Sequence, residues 1–363
     1  MGGYTLYGAE VSYFTGKARA YLRWRGVPFQ ELPATQAVYR DLILPNVGWP
    51  VIPVMTTPDG EVVQDTADII AIVEAREKLR PPALPETPVQ RFVAELLHLY
   101  ADEWLTLPAM HYRWSYNEDW AYAEFGALSA PEASRAEQYE IGKKNGQRFK
   151  GALPILGVHA ETIPGIETSY EAFLAEFSAH LEAHPYLLGA RPCLADFAFI
   201  GPLYAHLYRD PASGELMKRL APRVAGWVER THAGETGTGD LLAGDAIPET
   251  LEPILARQMR EQFPALVETM RLFEGWAAEA SPGTFLPRGL GEIWVEIEGA
   301  RGPAQARTFP LYRLQAVTDA YDAMDAGARA RADALLERVR GAPLKTFRLP
   351  KRLVRTNFRL ALA

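Results

Sequence analysis

Apolar positions come first in short runs and then at helical spacing, and the change falls about eighty residues into the chain. Tyr4–Tyr7 and Phe29–Leu32 read as strands. Between them Lys17–Arg25 carries Ala18, Tyr21 and Leu22 on one helical face, with Gly8–Phe14 as a loop before it. Gly26 stops that helix in the position that favours a left-handed residue, and Pro28 follows. Two strands joined by a helical crossover pair in parallel. Residues 35–47 are irregular or weakly helical. Val51–Met55 and Glu61–Gln64 form a hairpin around Asp59-Gly60, whose residue types accept positive φ. Pro53 cannot donate to a sheet ladder, so it belongs at a strand's first residue or its edge. Asp65, Thr66 and Asp68 offer caps and negative charge to a helix over Asp65–Lys78.

Arg80-Pro81-Pro82-Ala83-Leu84-Pro85 is a stiff linker, and the chain beyond it is mostly helical. Val89–Leu105 carries Phe92, Leu96, Leu97, Tyr100 and Trp104 at helical spacing, Tyr170–Ala183 is a second helix, and Leu194–Tyr208 an apolar third. Thr231–Ala246 reads as a loop. Pro248–Met259 and Leu266–Trp276 read as two helices broken by Pro264. Ile293, Val295 and Ile297 alternate with polar residues as in a strand, and Ala304–Phe309 returns after a turn as the other half of a hairpin. The spacing predicts a final helix over about Gln315–Arg340.

At 363 residues the chain is long enough for two or three units. A net charge of −7 argues against a generic nucleic-acid binder. The lone Cys193 excludes an internal disulfide framework and fits a reducing compartment. The start of the chain has no basic region or apolar signal core, and no segment approaches the ~20 apolar residues of a membrane span, so the expectation is a cytoplasmic protein without membrane contact.

Several residues carry candidate chemistry. The proline-gated strand beside an exposed helix start makes a place where a peptide-like ligand can meet bare backbone. Ser12 and Thr15 are hydroxyls near the first helix; for Ser12 the plain alternative is a loop serine or a cap. Asp65 and Thr66 serve equally as simple helix caps. The run from Trp104 to Trp114 is dense in aromatics, suited to stacking a flat substrate or to a helix–helix core. Lys17 and Arg19 suit a solvated surface first and pairing with a ligand's carboxylate second. His180 and His184 lie four apart with no third ligand, so a solvated face is the reading and no metal site is expected. Gly234–Gly239 lacks the Lys-Ser/Thr ending and preceding strand of a phosphate loop. Lys345, Arg348, Lys351, Arg352, Arg355 and Arg359 make a basic end, read either as docked on the acidic remainder or as bound to an anionic partner or membrane surface.

The β-α-β-α-β-β-α order, Val51-Ile52-Pro53-Val54, Gln64-Asp65-Thr66-Ala67-Asp68, the proline linker into a helical half and the later run Leu188–Asp196 together resemble a glutathione S-transferase. The resemblance spans residue 4 to about 210. It implies an α/β thioredoxin-like N-terminal domain (1–80) and an all-α C-terminal domain (86–230); residues 231–363 have no counterpart in that family and read as an extra helical extension containing a β-hairpin, packed on the helical domain. It implies a glutathione site in which Pro53 follows a cis peptide bond and Ile52 offers its backbone, while Asp65 and Thr66 hold the γ-glutamyl end. Ser12 matches the serine or cysteine that faces the glutathione sulfur. Tyr7 lies where tyrosine-type relatives keep their catalytic residue, in a register that fits the serine type better. Tyr13, Trp104, Met110, His111 and Trp114 would wall a pocket for a small hydrophobic electrophile. Glutathione is then the co-substrate and a homodimer the assembly. Ser12-Tyr13-Phe14-Thr15 stands where a redox relative carries two cysteines, so disulfide exchange there is not expected. Two functions fit: conjugation of glutathione to an electrophile, or a non-catalytic binding or scaffold module of the same fold.

Overall fold

Strand β1 (Tyr4–Gly8) alternates buried with half-buried positions and takes a partner on each edge in the computed structural model, which describes residues 3–363. Helix α1 (Tyr13–Arg25) returns the chain to β2 (Phe29–Pro33), which pairs with β1 in parallel. The expected cap is present: Gly26 has φ 67° and closes the helix onto Leu22 and Arg23. Next come α2 (Gln36–Val38), a π-helical turn Tyr39–Ile43 and α3 (Leu44–Val47), then β3 (Val54–Thr56), β4 (Val62–Gln64) and α4 (Thr66–Glu77). The sheet order is β2-β1-β3-β4, with β3 antiparallel to both neighbours. Leu6, Leu22, Val54, Met55 and Ile69 are fully buried; each such side chain stabilises by roughly 1.5–3 kcal/mol.

The helical part runs α5 (Pro88–Glu103), α6 (Thr106–Tyr116), α7 (Glu118–Ser129), α8 (Arg135–Lys150), α9 (Leu153–Leu156), α10 (Ile163–Ala183), α11 (Leu194–Ala205), α12 (Pro211–Leu220), α13 (Pro222–Ala233) and α14 (Glu252–Glu279). A hairpin of β5 (Gly289–Ile297) and β6 (Ala300–Arg307) follows, then α15 (Phe309–Asp322), α16 (Ala326–Arg338) and a second hairpin of β7 (Leu353–Thr356) and β8 (Arg359–Leu362). Contacts divide the chain into two units. The first holds the chain up to Ala83 with Ala109–Ala152 and Asp196–Gly237; the second holds Leu84–Pro108, Leu153–Ala195 and Thr238–Ala363.

The structure differs from the sequence reading in several elements. Pro264 does not split two helices, because α14 runs through it from Glu252 to Glu279. Phe263, Ala265 and Leu266 are buried around the proline, and this packing outweighs the lost backbone bond. The single terminal helix is two, α15 and α16, because the Asp325 carboxylate accepts from the Ala328 N–H at 2.8 Å and starts a new helix there. Val51–Pro53 lies outside the ladder, which begins at Val54. Helix α13 extends to Ala233, into the segment read as a loop.

Candidate active site

The C-terminal end of β1, the start of β3 and the end of β4 meet at one end of the sheet, because Tyr7 pairs with Val54 and Val54 with Gln64. Leaving β1, the chain makes a turn closed by the Ser12 N–H on the Ala9 carbonyl at 3.1 Å. Ser12 is the N-cap of α1, and its Oγ accepts from the Thr15 N–H at 3.3 Å. That bond uses a lone pair and leaves the hydroxyl proton of this half-buried side chain available for donation. No acid lies in the first turn of α1, so its positive end carries no carboxylate of its own there.

Thr15 is turned elsewhere. It is fully buried, and its Oγ1 accepts from the Ala9 N–H at 3.4 Å. A Cβ on Gly8 would stand 2.3 Å from the Thr15 methyl, so only glycine allows this contact. Of the two candidate hydroxyls, Thr15 fastens the turn and Ser12 lies at its open side.

The Ile52–Pro53 peptide bond is cis; Ile52 is half-buried and Pro53 buried. Asp65 caps α4, its carboxylate accepting from the Ala67 N–H at 2.9 Å. Its φ of 83° lies in a region that a residue with a side chain rarely adopts, at a cost of about 1–3 kcal/mol. Thr66 follows, nearly fully buried. Ser12, Ile52, Pro53, Asp65 and Thr66 are thus brought to one end of one sheet.

Charge gathers behind the turn. Arg19, nearly fully buried, forks onto Glu31 with two 2.6 Å bonds, reaches Glu10 at 3.0 Å and contacts the Ala9 carbonyl at 3.4 Å. The Tyr204 hydroxyl donates to Glu10, and the Tyr204 ring stacks on His232. Burial pushes the Glu10 carboxyl up, but the Tyr204 bond and the Arg19 charge outweigh it and hold it below the usual range. Burial, with Arg23 and Arg19 nearby, pushes His232 down to about 3, so its imidazole is neutral. The solvated surface expected for Lys17 and Arg19 is therefore corrected: both are buried, because α1 packs on both sides.

A model of the glutathione S-transferase N-terminal domain matches residues 6–81, and one of the glutathione S-transferase C-terminal domain matches residues 160–230. The chain belongs to the glutathione S-transferase superfamily. Similar solved structures include a tau-class glutathione S-transferase from mango, Mangifera indica, 20% identical over 68% of this chain and 94% of that one, TM-score 0.43. Another is a Ceriporiopsis subvermispora glutathione S-transferase in complex with glutathione, 16% identical over 66% and 100%, TM-score 0.45. A beta-etherase from Sphingobium is 17% identical over 64% and 98%, TM-score 0.47. No curated relative matches the sequence.

The aromatic segment of this transferase-superfamily chain is mostly core. Trp114 is buried against Tyr122 and Phe125, and Tyr13 against His206 and Phe14. His111 is buried, with Nδ1 2.9 Å from the Ser115 hydroxyl, and Met110 is half-buried. Trp104 belongs to the second unit, where its Nε1 donates to Glu261 at 3.2 Å. His180 corrects another expectation: it is buried, not solvated, between Thr250 and the Tyr186 carbonyl. Among the described residues no cluster of His, Cys, Asp or Glu could hold a metal, and no helix is long and apolar enough to cross a membrane.

The basic end is engaged within the second unit. Lys345 pairs with Glu337, Arg348 with Asp322 and Arg352 with Asp319, all at 2.6 Å. Lys351 donates to the Ala277 and Ala280 carbonyls, and Arg359 lies over the Phe285 ring. Docking on acids of the same unit thus accounts for Lys345, Arg348 and Arg352.

Proposed function

We propose that this chain binds glutathione in its N-terminal part and conjugates its sulfur to a small hydrophobic electrophile. The observation that carries the reading is Ser12: a hydroxyl at the N-terminus of α1, its oxygen accepting from the helix and its proton free to donate. A free thiol titrates near ~8.5, so few molecules are ionised at neutral pH. A hydroxyl donor and a helix N-terminus both favour the anion, and lowering the pKa by about two units requires ~2.7 kcal/mol. The thiolate then attacks an electrophilic carbon, a carbon–sulfur bond forms, the leaving group departs with its electron pair, and the thiol proton goes to solvent.

The backbone of Ile52 suits the cysteinyl part of glutathione, and the Asp65 carboxylate suits its α-amino group, with the Thr66 hydroxyl beside it. Arg19 is committed to Glu31 and Glu10 and is not assigned to the glycyl carboxylate. A homodimer belongs to this reading and is checked by sedimentation. Steady-state turnover of an aromatic halide, compared between the parent and Ser12→Ala, tests the chemistry. A parent that binds glutathione yet turns over no electrophile favours a binding module. The burial of Tyr13, His111 and Trp114 supports that second reading, because it removes aromatic walls from the pocket.

A further inference from the structure

The turn that presents Ser12 is held by a residue far away in sequence. Arg113, on α6, is almost fully buried, and its Nη1 donates to the Val11 carbonyl at 2.8 Å, one residue before Ser12. The rest of the guanidinium is fixed as well. Nε and Nη2 each donate to the Asp210 carboxylate at 2.7 Å, and Nη2 also donates to the Ala205 carbonyl at 2.6 Å. Asp210 is fully buried and stands at the N-cap of α12, yet makes no side-chain cap bond there. Its carboxylate is used on the arginine instead of on its own helix.

Burying an ion pair seldom adds stability over apolar residues of the same volume. What this pair gives is direction: a planar fork locked by one carboxylate aims its other N–H groups at fixed backbone carbonyls, here those of Ala205 and Val11. The other end of the turn is held by the Ser12 N–H and by Arg19, both on the Ala9 carbonyl. Arg113 therefore fixes the backbone one residue before Ser12, at the entry to α1.

Resting on the reading of Ser12 as thiolate stabiliser, we propose that Arg113 is a positioning residue for Ser12, acting through the Val11 carbonyl and held in aim by Asp210. A lysine keeps the charge but cannot bond Asp210 twice and reach Val11 together. Arg113→Lys should lower turnover of glutathione with a dinitro-substituted aryl chloride by about ten- to a hundred-fold, the penalty of a small misplacement. The KM for glutathione should change by less than about three-fold, because the peptide-binding groups are untouched. The thiol pKa of bound glutathione, followed by thiolate absorbance, should rise back towards ~8.5. A bracket with only a structural role would lower the melting temperature and leave that pKa in place.

The decisive comparison is the double variant Arg113→Lys with Ser12→Ala. If Arg113 acts through Ser12, the double variant is no slower than Ser12→Ala alone; independent effects would multiply. Should Arg113→Lys fail to fold, Arg113→Met with Asp210→Leu removes both charges together and the Val11 bond with them, and the same thiol shift is expected. A thiol pKa that stays as low in these variants as in the parent, or multiplying effects, overturns the role of Arg113 alone. A parent that does not depress the thiol pKa overturns the reading of Ser12 and takes Arg113 with it.

Discussion

Two buried arginines do opposite things. In the first unit Arg113 bonds Asp210 and then reaches out to the Val11 carbonyl, next to a hydroxyl that still has a proton to give. In the second unit Arg257, on α14, pairs with Glu261 of the same helix at 3.0 Å and with Glu176 and Glu298 at 2.6 and 2.7 Å. There the Glu261 carboxylate, buried, also accepts from Ser169 and Trp104. Burial pushes the Glu261 carboxyl up, and Arg257 pulls against it. The second network is closed on itself, while the first ends on a turn whose functional group is left open. A buried ion pair alone therefore does not mark a site. What sets the candidate site apart is a hydroxyl donor at a helix start, at the end of a sheet.

The largest effect should come from the closed network. Arg257→Ala takes the closest cation from Glu176 and the buried Glu261, while Glu298 keeps Arg260 at 2.7 Å, and should cost about 3–5 kcal/mol of stability, measured by urea unfolding. Replacing Arg257 and Glu261 together by apolar residues should cost far less. Equal losses from both variants would mean that packing, not charge, holds α14. Neither variant that folds should change the affinity for glutathione.

The open site should respond in function. Asp65→Ala should weaken glutathione binding by about 1.5–3 kcal/mol, the range of a charged hydrogen bond, and cost the cap about 1 kcal/mol. A lower melting temperature with unchanged affinity would make Asp65 a cap only. Ser12→Ala should cost about 1–3 kcal/mol in the transition state, or roughly five- to a hundred-fold in turnover, with little change in glutathione affinity. Thr15→Ala is the contrast. It leaves the Ala9 N–H without its acceptor and should appear mainly as lost stability. The reverse ranking in turnover would exchange the two assignments.

How far the sequence reached follows the same division. The short strands, the Gly26 cap, the Asp65 helix start and the cis Ile52–Pro53 bond were legible, because each depends on residues within one turn or one motif. The uninterrupted α14 was not, since tertiary packing overrides the local cost of Pro264. Nor was the Arg113–Val11 bond, which joins residues about a hundred positions apart with no local signal at either end. The aromatic run from Trp104 to Trp114 had the composition of a pocket wall; only burial distinguishes that from core. Lys17 and Arg19 misled for the same reason, because a charged residue next to a loop gives no sign that α1 is covered on its outer face.

A pH effect is shared by the two units. Burial pushes His180 down to about 4 and, with Arg23 and Arg19, His232 down to about 3. Both imidazoles take up protons near about 6.5 once the chain unfolds. The unfolded state thus binds more protons between these values, and stability must rise with pH through that window. The contribution is complete above about pH 6.5 and is lost as pH falls towards 4 and 3. The urea midpoint should therefore drop on acidification below about pH 6.5, with a shallower slope in His232→Gln. A midpoint that stays level between about pH 7 and 5 would mean that these histidines are not held neutral.

Calorimetric titration of the purified chain with glutathione tests the central claim most directly. The account predicts saturable binding at one site per chain, weakened by Asp65→Ala and nearly unchanged by Ser12→Ala. The absence of any binding heat up to millimolar glutathione would contradict it.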